Sequence, residues 1–285
     1  MALSALCMRA HAAHSTNEAF DYRYTAELHY CNALAHLRKS IPVIDRVSAD
    51  AVLACCMVLI PCGLALARVS QGSDSIPDWV HHLRGFRALG AAIDGCDTTQ
   101  RSKQELIPYP QLGIPRKHIA GSQEDILPTE ARLLWQAIRQ SRQAAMDELR
   151  DAIAKSGHEH SPVDGEAYTA ALNELEYVMD YITECRVSNY FRAVYTWPVQ
   201  IPLGFLELLA RKDELAFAIY AHWLVGTLLL DDLWWTRGFG VNGIGRVASI
   251  LEESTSRYCH LLDWPKQMLQ EWRSVCAGND LSLGD

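Results

Sequence analysis

Asp213-Glu-Leu-Ala-Phe-Ala-Ile-Tyr-Ala-His-Trp-Leu-Val-Gly-Thr-Leu-Leu-Leu-Asp-Asp-Leu-Trp-Trp-Thr-Arg-Gly-Phe-Gly240 is the stretch that decides the fold. Residues 215–230 are apolar nearly all round, with His222 in their midst. The run is shorter than the ~20 residues that a membrane span needs. A helix apolar on every side then belongs at the centre of a soluble bundle. Asp213 stands where an N-cap is expected, and Gly238 and Gly240 mark the turn that follows.

Working outward, the same helical period persists and no alternating strand pattern appears. Helices are expected over residues 18–37, 49–67, 79–93, 129–154, 167–186, 188–197, 198–210, 213–232 and 243–253, with shorter pieces near Tyr258 and Pro265. In the first of these, Phe20, Tyr24, Leu28, Cys31, Leu34 and Ala35 share a side and are expected to face inward. In the fourth, Leu133, Leu134, Ala137, Ile138 and Met146 do the same. Pro61 interrupts the second helix, which also holds Asp50, and Pro198 is expected to open a new one. Residues 94–128 carry Pro108, Pro110, Pro115, Gly113 and Gly121 without any period and read as a long loop. The fold class is therefore all-α: a single irregular helical bundle over 1–285 with an internal apolar pocket walled by its last helices.

Composition narrows the function. The 285 residues include 26 basic and 34 acidic side chains, a formal net charge of −8. Direct nucleic-acid binding needs clustered Lys and Arg, so neither DNA nor an anionic membrane surface is the expected partner. The nine cysteines are odd in number and irregularly spaced, with no C-x-x-C pair, which excludes a zinc finger or a secreted disulfide framework. They read as reduced, mostly buried residues of a nuclear or cytoplasmic protein.

The 213–240 stretch, with its Ala-His pair, Trp234-Trp235 and Gly-Phe-Gly turn, resembles the C-terminal regulatory domain of fungal zinc-cluster transcription factors of the sterol uptake control type. The helix over 244–253 and Trp264-Pro265 continue the likeness, and residues 2–14, 30–41, 49–64 and 79–93 are similar to the family's upstream helices in order. The resemblance is strongest over 200–265 and weak over 95–160. It implies a nuclear setting and a cavity for a sterol or similar apolar molecule. The family's six-cysteine zinc cluster and basic linker are not in this sequence, so a shortened relative, a fragment, or a protein that kept the helical pocket and dropped DNA binding is expected. It would act through a DNA-binding partner, as a homodimer or as a heterodimer with a zinc-cluster factor.

Candidate residues carry two readings each. Tyr220, Trp223, Trp234, Trp235 and Phe239 either line an apolar pocket or pack a helix end. His222 is a buried neutral histidine or a ligand contact, and with Tyr195 it could polarise a substrate. Gly238-Phe-Gly-Val-Asn-Gly243 spells a dinucleotide fingerprint, but a helix rather than a strand precedes it, so its glycines are expected to serve a turn. Asp231-Asp232 and residues 245–253 lack the full carboxylate sets of terpene cyclases, and capping acids are the plainer account. His158-Glu-His160 lies in a polar loop, a poor metal site. No catalytic residue, metal or cofactor is assigned. The expected function is a regulator of sterol or secondary-metabolite genes; the alternative is a cofactor-independent enzyme of cyclisation or rearrangement built on the same pocket.

Overall fold

Helix ends follow their capping chemistry. A computed structural model of the chain describes residues 16–40, 49–69, 129–156, 161–184, 190–231 and 233–280. Among the described residues the regular elements are all helical: α1 (Thr16–Ser40), α2 (Ala49–Val69), α3 (Thr129–Ser156), α4 (Pro162–Glu184), α5 (Tyr190–Gln200), α6 (Leu203–Ala210), α7 (Glu214–Leu228), α8 (Phe239–Glu253), a 3-10 turn (Cys259–Leu262) and α9 (Asp263–Asp280). The all-α fold class is thus as read from the sequence. The helix expected over 79–93, the loop over 94–128, the first helix near 2–14 and His158-Glu-His160 lie outside the described residues. No described helix is long and apolar enough to cross a membrane.

The chain divides into two compact units: unit 1 is Met1–Leu112 with Leu233–Thr236, and unit 2 is Gly113–Asp232 with Arg237–Asp285. In unit 1, α1 packs on α2 around Ala26, Tyr30, Leu59, Cys62, Ala65 and Leu66. Trp234 and Trp235 pack on this same cluster, ring planes nearly perpendicular at 5.6 Å. Of the residues expected to face inward on α1, Leu34 packs on this cluster, the side chain of Phe20 lies outside the described residues, and the other four do not face inward. Tyr24 is 64% and Leu28 47% exposed, Cys31 and Ala35 face solvent, and the buried stripe is instead Ala26 and Tyr30, flanked by Ala33, Leu34 and Leu37. Two apolar stripes share this helix, and periodicity alone does not rank them.

In unit 2, α7 is the hub, touching α4, α5, α6, α8 and α9. It buries Leu215 to Leu228 except Tyr220, which is half-buried. Asp213 caps it, its carboxylate accepting the Ala216 N–H at 2.9 Å. The preceding helix ends with Lys212 in the left-handed region, φ 61°. The Asp213 N–H bonds Leu208 O and the Lys212 N–H bonds Leu209 O, which satisfies the last carbonyls of α6. Helix α4 starts five residues before the expected 167, because Ser161 accepts the Asp164 N–H and Pro162 tolerates the first helical position. Leu133 on α3, expected inward, is 51% exposed, whereas Leu134, Ile138 and Met146 are buried.

Pro198 does not open a helix; it sits inside α5, and the break falls at Ile201-Pro202. Proline lacks the N–H that would bond the carbonyl four residues back, Val194. The Trp223 indole N–H takes that place, donating to Val194 O at 2.7 Å. A side chain of α7 thereby completes the hydrogen bonding of α5.

Candidate functional site

Helix α7 gathers the rings. Trp223, fully buried, stacks on Trp197 (centroids 5.4 Å, planes 21° apart) and on Tyr220 (5.4 Å, 29°). Tyr195 meets Trp223 edge-on at 6.4 Å, Phe239 does so at 6.1 Å, and Phe205 meets Trp197 at 5.7 Å. Both stacked and edge-on contacts suit the ring quadrupoles. The indole N–H of Trp197 donates to Ala171 O at 2.8 Å, so the polar edge of each buried indole in the stack is held by backbone. Burial pushes the Tyr195 and Tyr220 phenols above their ordinary range, so both stay neutral. Of the stacked rings, Tyr220 alone reaches solvent appreciably.

His222 faces another way. Its Nδ1 lies 2.8 Å from Ala218 O, and since a carbonyl can only accept, Nδ1 carries the proton. Its ring lies over Trp264 (5.3 Å, 19°), whose indole N–H donates to Ser141 Oγ at 2.8 Å. This links α7, α9 and α3. Burial lowers the His222 pKa to about 4, with the Ala218 bond opposing, so the imidazole is neutral near pH 7.

The glycine pattern serves a helix contact as well as a turn. Gly238 caps α8 with φ 76°, and its N–H donates to Asp231 Oδ1 at 2.5 Å. A carboxylate at a helix N-terminus is electrostatically favoured there, which gives Asp231 a capping role. Gly240 and Gly243, three apart, lie on one face of α8 against α7. A Cβ on Gly240 would meet Thr227 Oγ1 at 2.5 Å and Leu228 Cδ2 at 2.8 Å; one on Gly243 would meet Leu224 Cδ1 at 2.8 Å. The two glycines let the backbones of α7 and α8 approach.

The structure thus brings together Tyr195, Tyr220, Trp223 and Phe239 in unit 2, adds Trp197 and Phe205, and places His222 on another face of the same helix. Trp234 and Trp235, neighbours in sequence, belong to the core of unit 1. Trp197 at the centre of the stack went unmarked in the sequence. Its signal was the Tyr195-Thr-Trp-Pro198 order, which puts rings next to a proline. Among the five described cysteines Cys62 alone is buried, Cys31 and Cys276 are exposed, and Cys55 and Cys259 lie between; Cys7, Cys56, Cys96 and Cys185 lie outside the residues whose side chains are described. Among the described residues no group of three or more His, Cys, Asp or Glu is placed to hold a metal ion.

No protein-family model matches the chain, and neither a curated protein nor a solved structure matches it at a significant level.

Proposed function

We propose that the chain is a non-catalytic regulatory domain, similar in kind to that of fungal zinc-cluster factors, that binds a sterol or another apolar pathway metabolite. Occupancy would alter its contacts with a DNA-binding partner, in the nucleus or in the cytoplasm before nuclear entry. The observation that carries this reading is the ring stack on α7. Its indole N–H groups are bonded to Val194 O and Ala171 O, and its one half-buried member is Tyr220. The indoles are buried within the stack, so the surface a guest could touch is that of the half-buried Tyr220, an apolar ring whose phenol burial keeps neutral. Such a surface favours recognition by shape and area over chemistry.

The enzymatic alternative rests on His222, whose neutral Nε2 keeps a lone pair. It is 1% exposed beneath Trp264, so a substrate would have to displace that ring to reach it.

The test is titration of the full chain with a fluorescent sterol and with a linear isoprenoid of equal carbon number, followed by tryptophan emission and melting temperature. Saturable transfer from tryptophan to the sterol, lost in Tyr220→Ala, is the expected result. Absence of any change with either probe would sink the regulatory reading. Turnover of the isoprenoid to a cyclic product would establish the enzyme instead.

A further inference from the structure

The geometry points to self-association through the outer face of α1, in an antiparallel pair centred between Leu28 and Cys31. This is independent of the sterol reading. Tyr24, Leu28, Cys31 and Ala35 follow one another at spacings of four, three and four residues. At the helical pitch they fall within an arc of about 60°. All four are exposed, Tyr24 by 64% and Leu28 by 47%. The opposite side of α1 already holds the core stripe, Ala26, Tyr30, Ala33, Leu34 and Leu37, against α2. The outer stripe is therefore not surplus core, and its spacing is that of a two-helix seam.

A second copy is the occupant that fits, and the orientation follows from volume. The stripe runs from large to small along the chain. A parallel pair would set Tyr24 on Tyr24 and Ala35 on Ala35, crowding one end and opening the other. An antiparallel pair sets Tyr24 against Ala35 and Leu28 against Cys31, large on small at every level, as close packing requires. Such a contact is isologous, the commonest closed arrangement of identical subunits.

Charge agrees with this register. The last turn of α1 is basic at Arg38 and Lys39, and the sequence near its start is acidic at Glu18 and Asp21. The antiparallel register lays the basic turn of one copy alongside the acidic positions of the other, and it also opposes the helix dipoles. A parallel register would put like charges together at both ends. The seam has only four residues, so a concentration-dependent dimer is expected rather than an obligate one.

Sedimentation velocity on the full chain across a dilution series tests this. The expected result is a reversible monomer–dimer equilibrium that Leu28→Glu weakens about a hundredfold. Tyr24→Glu should do the same, with the melting transition of the dilute monomer kept in both. Orientation is read by mild copper-phenanthroline oxidation. Leu28→Cys should cross-link to Cys31 of the second copy, and the link should vanish when Cys31→Ser is added. A chain that stays monomeric at millimolar concentration, or a dimer indifferent to both Glu variants, would overturn the proposal. A Cys31-to-Cys31 link in the unaltered chain that persists in Leu28→Cys would overturn the antiparallel register.

Discussion

Helix α7 of unit 2 buries both of its sides, while α1 of unit 1 buries one apolar stripe and leaves another in solvent. The two helices both carry rings and aliphatic residues near their middles. What separates them, among the described residues, is neighbours: α7 is packed by α4, α5, α6, α8 and α9, whereas α1 packs on α2, with Trp234 and Trp235 against their common cluster. Apolar sequence states what a helix can cover, and the number of packed neighbours decides what is covered. The ring stack on α7 should therefore carry stability, and the outer stripe of α1 should carry almost none within one chain. Each variant below breaks or sharpens that contrast.

The largest effect is expected at the centre of the stack. Trp223→Ala removes a fully buried ring and also strips the donor from Val194 O, the carbonyl that Pro198 cannot serve. A loss of about 4 kcal/mol is expected, from cavity formation and an orphaned acceptor. It is measured by denaturant unfolding followed by far-UV circular dichroism. Trp223→Phe keeps most of the ring but not the N–H, so its smaller loss separates the hydrogen bond from the packing. A loss under about 1 kcal/mol for Trp223→Ala would mean that the stack is loosely packed.

His222 comes next. An unfolded imidazole takes its proton below about pH 6.5, and the folded one resists until about pH 4. Between those values the unfolded chain holds more protons, so stability falls as the pH is lowered. The loss accumulates to on the order of 3 kcal/mol below pH 4 and is absent above 6.5. His222→Phe retains a ring to lie over Trp264 and removes the proton site. The difference in unfolding free energy between the two proteins should grow from pH 7 to pH 4 in favour of the variant. A constant difference would show that His222 does not titrate in this way.

A glycine pair on α8 tests the close approach of the two central helices. Gly240→Ala puts a Cβ 2.5 Å from Thr227 Oγ1 and 3.0 Å from the Leu224 carbonyl oxygen. The expected cost is about 1–2 kcal/mol, the overpacking term less the helix propensity gained. Gly245→Ala meets nothing within 4 Å and should stabilise by up to about 1 kcal/mol. Opposite signs at these two positions of one helix would be read directly as shifts in melting temperature.

The sequence disclosed the helical class, the starts of α3 and α7, and the meeting of Tyr220, Trp223 and Phe239, because those properties are local or nearly so. Capping by Asp213 needs only its own helix turn. The separation of Trp234 and Trp235 from that group was not legible, since it depends on which cluster a four-residue turn enters. Nor was the position of Pro198 inside α5, because the missing donor is replaced by an indole 25 residues later in the chain. The glycines of α8 looked like a turn until the atoms of Leu224 and Leu228 stood opposite them. The face of α1 was misread at Tyr24, Leu28, Cys31 and Ala35, though not at Leu34, because two stripes of similar character compete and only tertiary packing chooses between them.

That choice gives the smallest expected effect and the sharpest form of the contrast. Leu28 and Tyr30 lie two residues apart on α1, and they point to opposite sides of the helix. Tyr30, 8% exposed, belongs to the core of unit 1, and Tyr30→Ala should cost about 3 kcal/mol. Leu28→Ala, measured at dilution where the chain is monomeric, should stay within about 0.5 kcal/mol of the parent, as surface substitutions do. Hydrogen exchange of the α1 amides is the cleanest readout, because it reports opening of this helix separately from unit 2. Accelerated exchange throughout α1 in Tyr30→Ala, beside an unchanged profile in Leu28→Ala, would place the core on the Ala26–Tyr30–Leu37 side. Equal acceleration in both would mean that the outer stripe is covered within the chain, and the surface proposed for a second copy would then be occupied already.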